Sequence, residues 1–170
     1  MRLRRALVLV ALATVAVCAP ASSLAAQTYN DTISGYEYYA TSVDGKFAGT
    51  AAGALPGHWN ADVQHTPLCS SCTPTAVITG GSFLLATTLN SFPTLVTGQF
   101  SGGTVQVTNV GDNCTNQSFA VNGILGSVGP WYTGSGGGTF SATLVHYRYR
   151  IFGSCITYAA SVTGTISLSF

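Results

Sequence analysis

The sequence predicts an all-β domain: a single antiparallel β-barrel of about eight strands, stapled by disulfides, with a β-sandwich as the alternative. Three observations carry that prediction. Helix signals are nearly absent from the 170 residues. Thr, Val, Ser, Gly and aromatic residues recur in short runs, parted by turn dipeptides at the spacing of barrels and sandwiches. Four cysteines remain once an N-terminal leader is set aside, and an even count in a secreted chain reads as two disulfides.

The leader comes first. Met1-Arg-Leu-Arg-Arg5 is basic, residues 6–19 are apolar, and Ser23-Leu-Ala25 supplies small residues at the cleavage-defining positions. This reads as a signal peptide over 1–25 and a single secreted, extracellular domain over 26–170. The apolar run is shorter than the ~20 residues a spanning helix needs. Val17 before Cys18 speaks against lipoprotein processing. About 145 residues remain, enough for one real core. They carry Lys46, Arg148 and Arg150 against Asp31, Glu37, Asp44, Asp62 and Asp112, a formal charge of −2. No basic patch exists to neutralise phosphates, which excludes a nucleic-acid partner. No polybasic or amphipathic helix points to a membrane once the leader is removed. Only 6% of residues are charged, so solubility rests on Thr, Ser, Asn and Gly.

The elements follow in order. Residues 34–43 read as a first strand. Asp44-Gly45 is a two-residue hairpin signal, since a type I′ turn needs positive φ at both central positions. The second strand is then 46–54. That turn places Tyr38 opposite Ala51, Tyr36 opposite Gly53 and Ser42 opposite Phe47. These form a core face of rings over small residues. Glu37, Tyr39, Thr41, Lys46, Ala48 and Thr50 fall on the other face, toward solvent or a wet cavity. Residues 58–66 alternate, with Trp59, Ala61, Val63 and His65 on one side. A loop at 67–74 holds Cys69-Ser-Ser-Cys72. Strands at 76–90, 95–101, 104–110 and 117–125 come next, with glycine pairs at Gly80-Gly81 and Gly102-Gly103 as breaks. A Gly-rich loop over 127–138 contains Trp131 and Tyr132.

The last hairpin turns at Gly153-Ser154, where Gly at the first central position fits type II′. Its ascending limb sets Tyr147, Tyr149 and Ile151 on one face and His146, Arg148 and Arg150 on the other. From Phe140 to Phe152 the limb would span ~43 Å, long enough to require a bend or bulge. Gly-x-Phe followed by two small residues recurs at Gly45, Gly98 and Gly138, a strand-corner solution in which Gly permits the bend and Phe fills the core.

In an up-and-down sheet, alternate turns lie at one end. Cys114 and Cys155 sit in turns two apart, so they pair, which leaves Cys69 with Cys72. The Cys114–Cys155 bridge closes about 42 residues and contributes ~4 kcal/mol by chain entropy. A redox dithiol would want a helix N-terminus, and a zinc site would recruit all four cysteines or His58 and His65. The secretory reading favours structural disulfides, with no metal and no cofactor. No Gly-x-Ser-x-Gly elbow occurs, and Glu37 is the only glutamate, so no hydrolase triad or paired glycosidase carboxylates stand out. Asn30-Asp-Thr, Asn113-Cys-Thr and Asn116-Gln-Ser match the N-glycosylation pattern, which marks those turns as exposed.

One polar constellation is left. If the sheet closes, the first and last strands are neighbours, and Glu37 pairs with Arg148 or Arg150. The plainer reading is a solvated outer face with an ion pair worth about 0–1 kcal/mol. The functional reading is a polar cluster in the barrel mouth, Glu37, Tyr39, His146, Arg148 and Arg150, that orients a ligand. His146 and Glu37 are then the candidates for acid–base catalysis, should the barrel be an enzyme.

Val121-Asn-Gly-Ile-Leu-Gly126, followed by Gly134-Ser-Gly-Gly-Gly-Thr-Phe-Ser-Ala-Thr-Leu144, resembles the late strands of the allene oxide cyclase and dirigent barrels, where a Gly-rich turn opens into a Gly-x-Phe strand. Residues 34–53 resemble an early hairpin of the same barrels. The resemblance covers about half of the mature chain. It implies an eight-stranded barrel with a cavity for a small apolar or phenolic ligand, in a trimer or dimer. No motif matches those families' catalytic or guiding residues, so fold and cavity carry over, and activity does not. The expectation is a secreted barrel that binds a small apolar or phenolic ligand without catalysis. The alternatives are a cyclase- or isomerase-type enzyme using the same cavity, and a structural protein with a filled core.

Overall fold

The computed structural model describes residues 26–69 and 74–170. The expected signal peptide lies outside the described residues. So does the expected Cys69–Cys72 pair, because Cys72 does.

Eight strands form a closed, wholly antiparallel up-and-down barrel: β1 (Thr28–Ala40), β2 (Asp44–Gly53), β3 (Gly57–His65), β4 (Thr75–Leu89), β5 (Phe92–Asn109), β6 (Gln117–Pro130), β7 (Gly136–Ile151) and β8 (Ser154–Ser169). A 3-10 turn at Asp112–Cys114 interrupts the β5–β6 connection. Strand β8 returns to β1 and pairs with it from Thr28 opposite Ser169 to Gly35 opposite Val162, which closes the sheet over that length. Glycine pairs do not break strands here. Gly80-Gly81 and Gly102-Gly103 lie inside β4 and β5, next to register shifts, where they let long strands bend around a narrow barrel. The expected bulge in the last hairpin lies between Tyr147 and Arg148.

The lumen is filled. Trp59, Phe83, Phe100 and Phe140 point inward, each 4% exposed or less, among Leu85, Val96, Leu125, Ile166 and Leu168. The Phe140 ring meets Trp59 edge-on at 5.9 Å and Phe100 at 5.8 Å. Gly123 makes that packing fit, because a Cβ there would lie 2.4 Å from the Phe100 ring. Each buried large apolar side chain contributes about 1.5–3 kcal/mol. At the base, Leu55 tucks under the barrel, 1% exposed, and its N–H donates to the Asp31 carboxylate at 2.8 Å. Phe170 stacks on Tyr29 at 4.9 Å to close the same end.

Both terminal hairpins differ from expectation. The β1–β2 turn is residues 41–43, held by Thr41 N–H to Asp44 O at 2.7 Å and by Val43 N–H to Thr41 Oγ1 at 3.2 Å. Asp44 and Gly45 open β2 instead. Ile33 therefore stands opposite Ala51, where Tyr38 was expected, five positions away. An odd shift turns a strand over. Tyr36 and Tyr38, expected in the core, are 55% and 57% exposed, while Glu37 points inward. The β7–β8 turn is Phe152-Gly153, with φ of 45° and 82° and Ile151 paired to Ser154, so it is type I′ rather than II′. His146 faces Ala160, not Ser161. Tyr147 and Tyr149 lie on the outer side of the hairpin around Tyr158, with Tyr149 exposed.

Candidate functional site

The barrel is not zipped along its whole length. Strand β1 pairs with β8 only from Thr28 opposite Ser169 to Gly35 opposite Val162. Beyond that point residues 36–40 pair with β2 alone and residues 154–161 with β7 alone. The two strands part at the end of the barrel that carries the connections 41–43, 110–116 and 152–153. A cleft of about 350 Å³ opens between them. Glu37, Tyr38, Tyr39 and Ala40 form one wall, and Thr157, Tyr158, Ala159 and Ala160 the other. His146, from β7, lines the cleft from the lumen side, following the buried Leu144.

Glu37 and His146 meet across this split. Glu37 Oε2 lies 2.6 Å from His146 Nε2, a charge-assisted distance. Their side chains are 7% and 16% exposed, so the bond is well sheltered. The imidazole ring also packs edge-on against Phe119 at 5.0 Å. Gly45 leaves the space that Glu37 occupies, since a Cβ on Gly45 would lie 2.9 Å from Glu37 Oε1. That is why a glycine sits there, in a strand and not in a turn. An irregularity between Glu37 and Tyr39 leaves both Tyr38 and Tyr39 exposed along the cleft wall. Bulges beside sites commonly re-aim side chains in this way.

Three of the five residues expected to bind a ligand therefore gather here: Glu37, Tyr39 and His146. The two arginines go elsewhere. Arg148 Nη1 donates to Gly111 O at 3.2 Å and to Val110 O at 3.5 Å, clasping the β5–β6 connection. Gly111, at φ 69°, comes so close to this guanidinium that a Cβ would meet Nη1 at 2.8 Å. Arg150 is exposed and stands opposite Cys155. Neither lines the cleft, and Glu37 takes His146 as its partner rather than an arginine. The charged side of the β7 limb is thus divided: His146 turns into the mouth, and the arginines serve the rim. Tyr38, Thr157 and Tyr158 were not anticipated. The Tyr36-Glu-Tyr-Tyr39 run is the available signal, but the expected hairpin register assigns Tyr36 and Tyr38 to the core.

Cys114 and Cys155 are bonded, with Cα atoms 5.4 Å apart, directly beside the Arg148 clasp. A second polar group sits on the outer wall near the same end. Lys46 Nζ bonds Asp62 Oδ2 at 2.6 Å and approaches Asp44 Oδ2 at 3.7 Å, with the Tyr39 ring 5.9 Å below it. Burial and the neighbouring Asp62 carboxylate push the Asp44 carboxyl above its usual range, against the opposing pull of Lys46 and His65. The hydrogen bond to Asp62 in turn raises Lys46. Oδ1 of both carboxyls is buried without a hydrogen-bond partner. Among the described residues no three His, Cys, Asp or Glu side chains converge as a metal site.

Compared with known protein families, with curated proteins and with solved structures, the chain matches none.

Proposed function

We propose that this is a secreted binding barrel that holds a small apolar or phenolic ligand at its mouth, without covalent chemistry. One observation carries the reading: a sheltered carboxylate–imidazole pair on the floor of a cleft walled by tyrosines. Small-molecule sites combine apolar and aromatic walls with a few convergent polar groups, and this cleft has both. A phenol would lay its ring between Tyr38 or Tyr39 and Tyr158 and direct its hydroxyl to the Glu37–His146 pair. The lumen behind the pair is packed by Trp59, Phe100 and Phe140, so the ligand occupies the mouth and not the barrel axis. That differs from the deep cavity implied by the resemblance to the cyclase and dirigent barrels. It limits the ligand to what about 350 Å³ admits.

Titration calorimetry with a series of simple para-substituted phenols tests the reading. Binding that weakens at least tenfold in Glu37→Gln and in His146→Ala supports it. Equal affinity in both variants, or no heat from any phenol, refutes it. The 2.6 Å contact also favours a second reading, in which Glu37 orients His146 as a general base for an isomerisation or cyclisation. In that case His146→Ala abolishes turnover while ligand affinity survives.

A further inference from the structure

The β7–β8 hairpin outgrows the barrel. Strand β6 pairs with β7 only as far as Gln117 opposite His146, and β1 leaves β8 at Gly35 opposite Val162. Residues 147–159 therefore form a two-stranded ribbon whose only ladder is its own. The Cys114–Cys155 bond and the Arg148 clasp tie this ribbon to the β5–β6 connection. Its β8 edge is bare: among the described residues no strand pairs with it. Continuing the Gly35–Val162 register would bring Ala40, the end of β1, level with Thr157, so residues 154–156 stand beyond β1 altogether. The hairpin closes on Ile151 opposite Ser154 around a two-residue turn, which makes these two a hydrogen-bonded pair. Ser154 and Ile156 thus direct their main-chain groups to β7, and Cys155 and Thr157 direct theirs to the bare edge.

Free N–H and C=O groups at strand spacing are complemented by another strand. Edges are normally blunted by Pro or by charge, and residues 154–161 hold no Pro, Lys, Arg, Asp or Glu. That stretch paired with itself sets no like charges opposite one another. Antiparallel pairing about a two-fold axis also puts each barrel beyond the tip of the other's hairpin, so the two bodies do not collide. Apolar surface is at hand. Tyr149 and Ile156 are partners on one face of the ribbon, the Tyr158 ring lies 5.3 Å from that of Tyr149, and Phe152 at the tip is fully exposed. With Tyr38 and Tyr39 at the rim, these side chains expose on the order of 700 Å² per copy, close to the ~800 Å² per partner of a standard interface. We infer that two copies of this chain pair mouth to mouth through the β8 edge, antiparallel about a two-fold axis at Ile156. Cys155 of each copy then meets Thr157 of the other, main chain to main chain. The Phe152 tip of each copy is carried toward the Thr157–Ala160 wall of the other's cleft.

Sedimentation velocity of the purified protein over a micromolar concentration series reads the association. A dimer that dissociates on dilution is the expected result. Ile156→Cys places a thiol on the axis, where directly opposite Cα atoms of a non-hydrogen-bonded pair lie about 4.5 Å apart, within disulfide reach. It should give a covalent dimer in air, whereas Val77→Cys, exposed on β4 away from the ribbon, should not. Thr157→Pro deletes one N–H of the bare edge and none of the β7 ladder. Its melting temperature should stay near that of the parent while dimer affinity falls at least tenfold. Ile156→Lys sets two like charges on the axis and should weaken the dimer as much. The inference is overturned by a parent that stays monomeric across the series, whether alone or holding an added unrelated strand-forming peptide. Folded Thr157→Pro and Ile156→Lys that associate like the parent overturn it too, as does cross-linking of Val77→Cys as readily as Ile156→Cys. So does growth past the dimer into open-ended assemblies, since a two-fold pairing closes on itself.

Discussion

Replacing both Cys114 and Cys155 by Ser measures how the mouth of this barrel is held. The bond joins residues separated by 41 positions in the sequence. By the chain-entropy argument a loop of that length restricts the unfolded state by about 13 cal/mol/K, or ~4 kcal/mol at 25 °C. Little of this resides in native contacts, because Arg148 still clasps Val110 and Gly111 in the double variant and keeps the two connections together. At about 2–4 °C per kcal/mol for a domain of this size, the melting temperature should fall by roughly 8–16 °C. Urea unfolding of parent and variant under non-reducing conditions gives the free-energy difference directly. The near-UV spectrum of the folded state should be preserved. A loss below about 1 kcal/mol would refute the reasoning, since the bridge would then not be restraining the unfolded chain as its loop length requires.

Other outcomes follow from the same geometry. A double-mutant cycle over Glu37→Gln and His146→Ala should return a coupling of about 1–3 kcal/mol in urea unfolding, because the pair is sheltered and charge-assisted. Phe140→Ala, which empties the contact between Trp59 and Phe100, should cost about 3–5 kcal/mol in the same measurement. Asp44 is held above the usual carboxylate range, so its protonated form favours the fold. The stability it contributes is present in acid and lost as pH rises through the raised value. Asp44→Asn should therefore leave the melting temperature unchanged in acid and raise it at pH 7, read by thermal melts at the two pH values. A lowered melting temperature at pH 7 would contradict that sign.

Much of the architecture was legible in the sequence, because strand length and turn spacing are local properties. The Cys114–Cys155 bond followed from counting turns, which fixes the end of a barrel without fixing any register. Register was the point of failure. Asp44-Gly45 has the composition of a two-residue turn, yet Gly45 serves to admit Glu37 beside Phe47, a requirement set by β1 and invisible within the hairpin. The consequence falls on residues 36–38 of β1, where Glu37 takes the inner face in place of Tyr36 and Tyr38. Gly102-Gly103 misled in the same way, because a bend inside a long strand and a turn between two short ones use the same residues. His146 and Glu37 were found because ionisable groups are scarce here. Their partnership was not, because it depends on how β1 and β7 are placed across the open seam.

Glu37 and His146 are 109 residues apart in the chain, and the strand closure that brings them near each other joins the first strand to the last. Contacts of such separation form late, since chain entropy opposes them until the intervening strands have zipped together. The cleft therefore does not exist on any nascent or partly folded chain. It appears only with the final closure of the sheet, and a chain stalled one strand short lacks the β8 wall of the cleft.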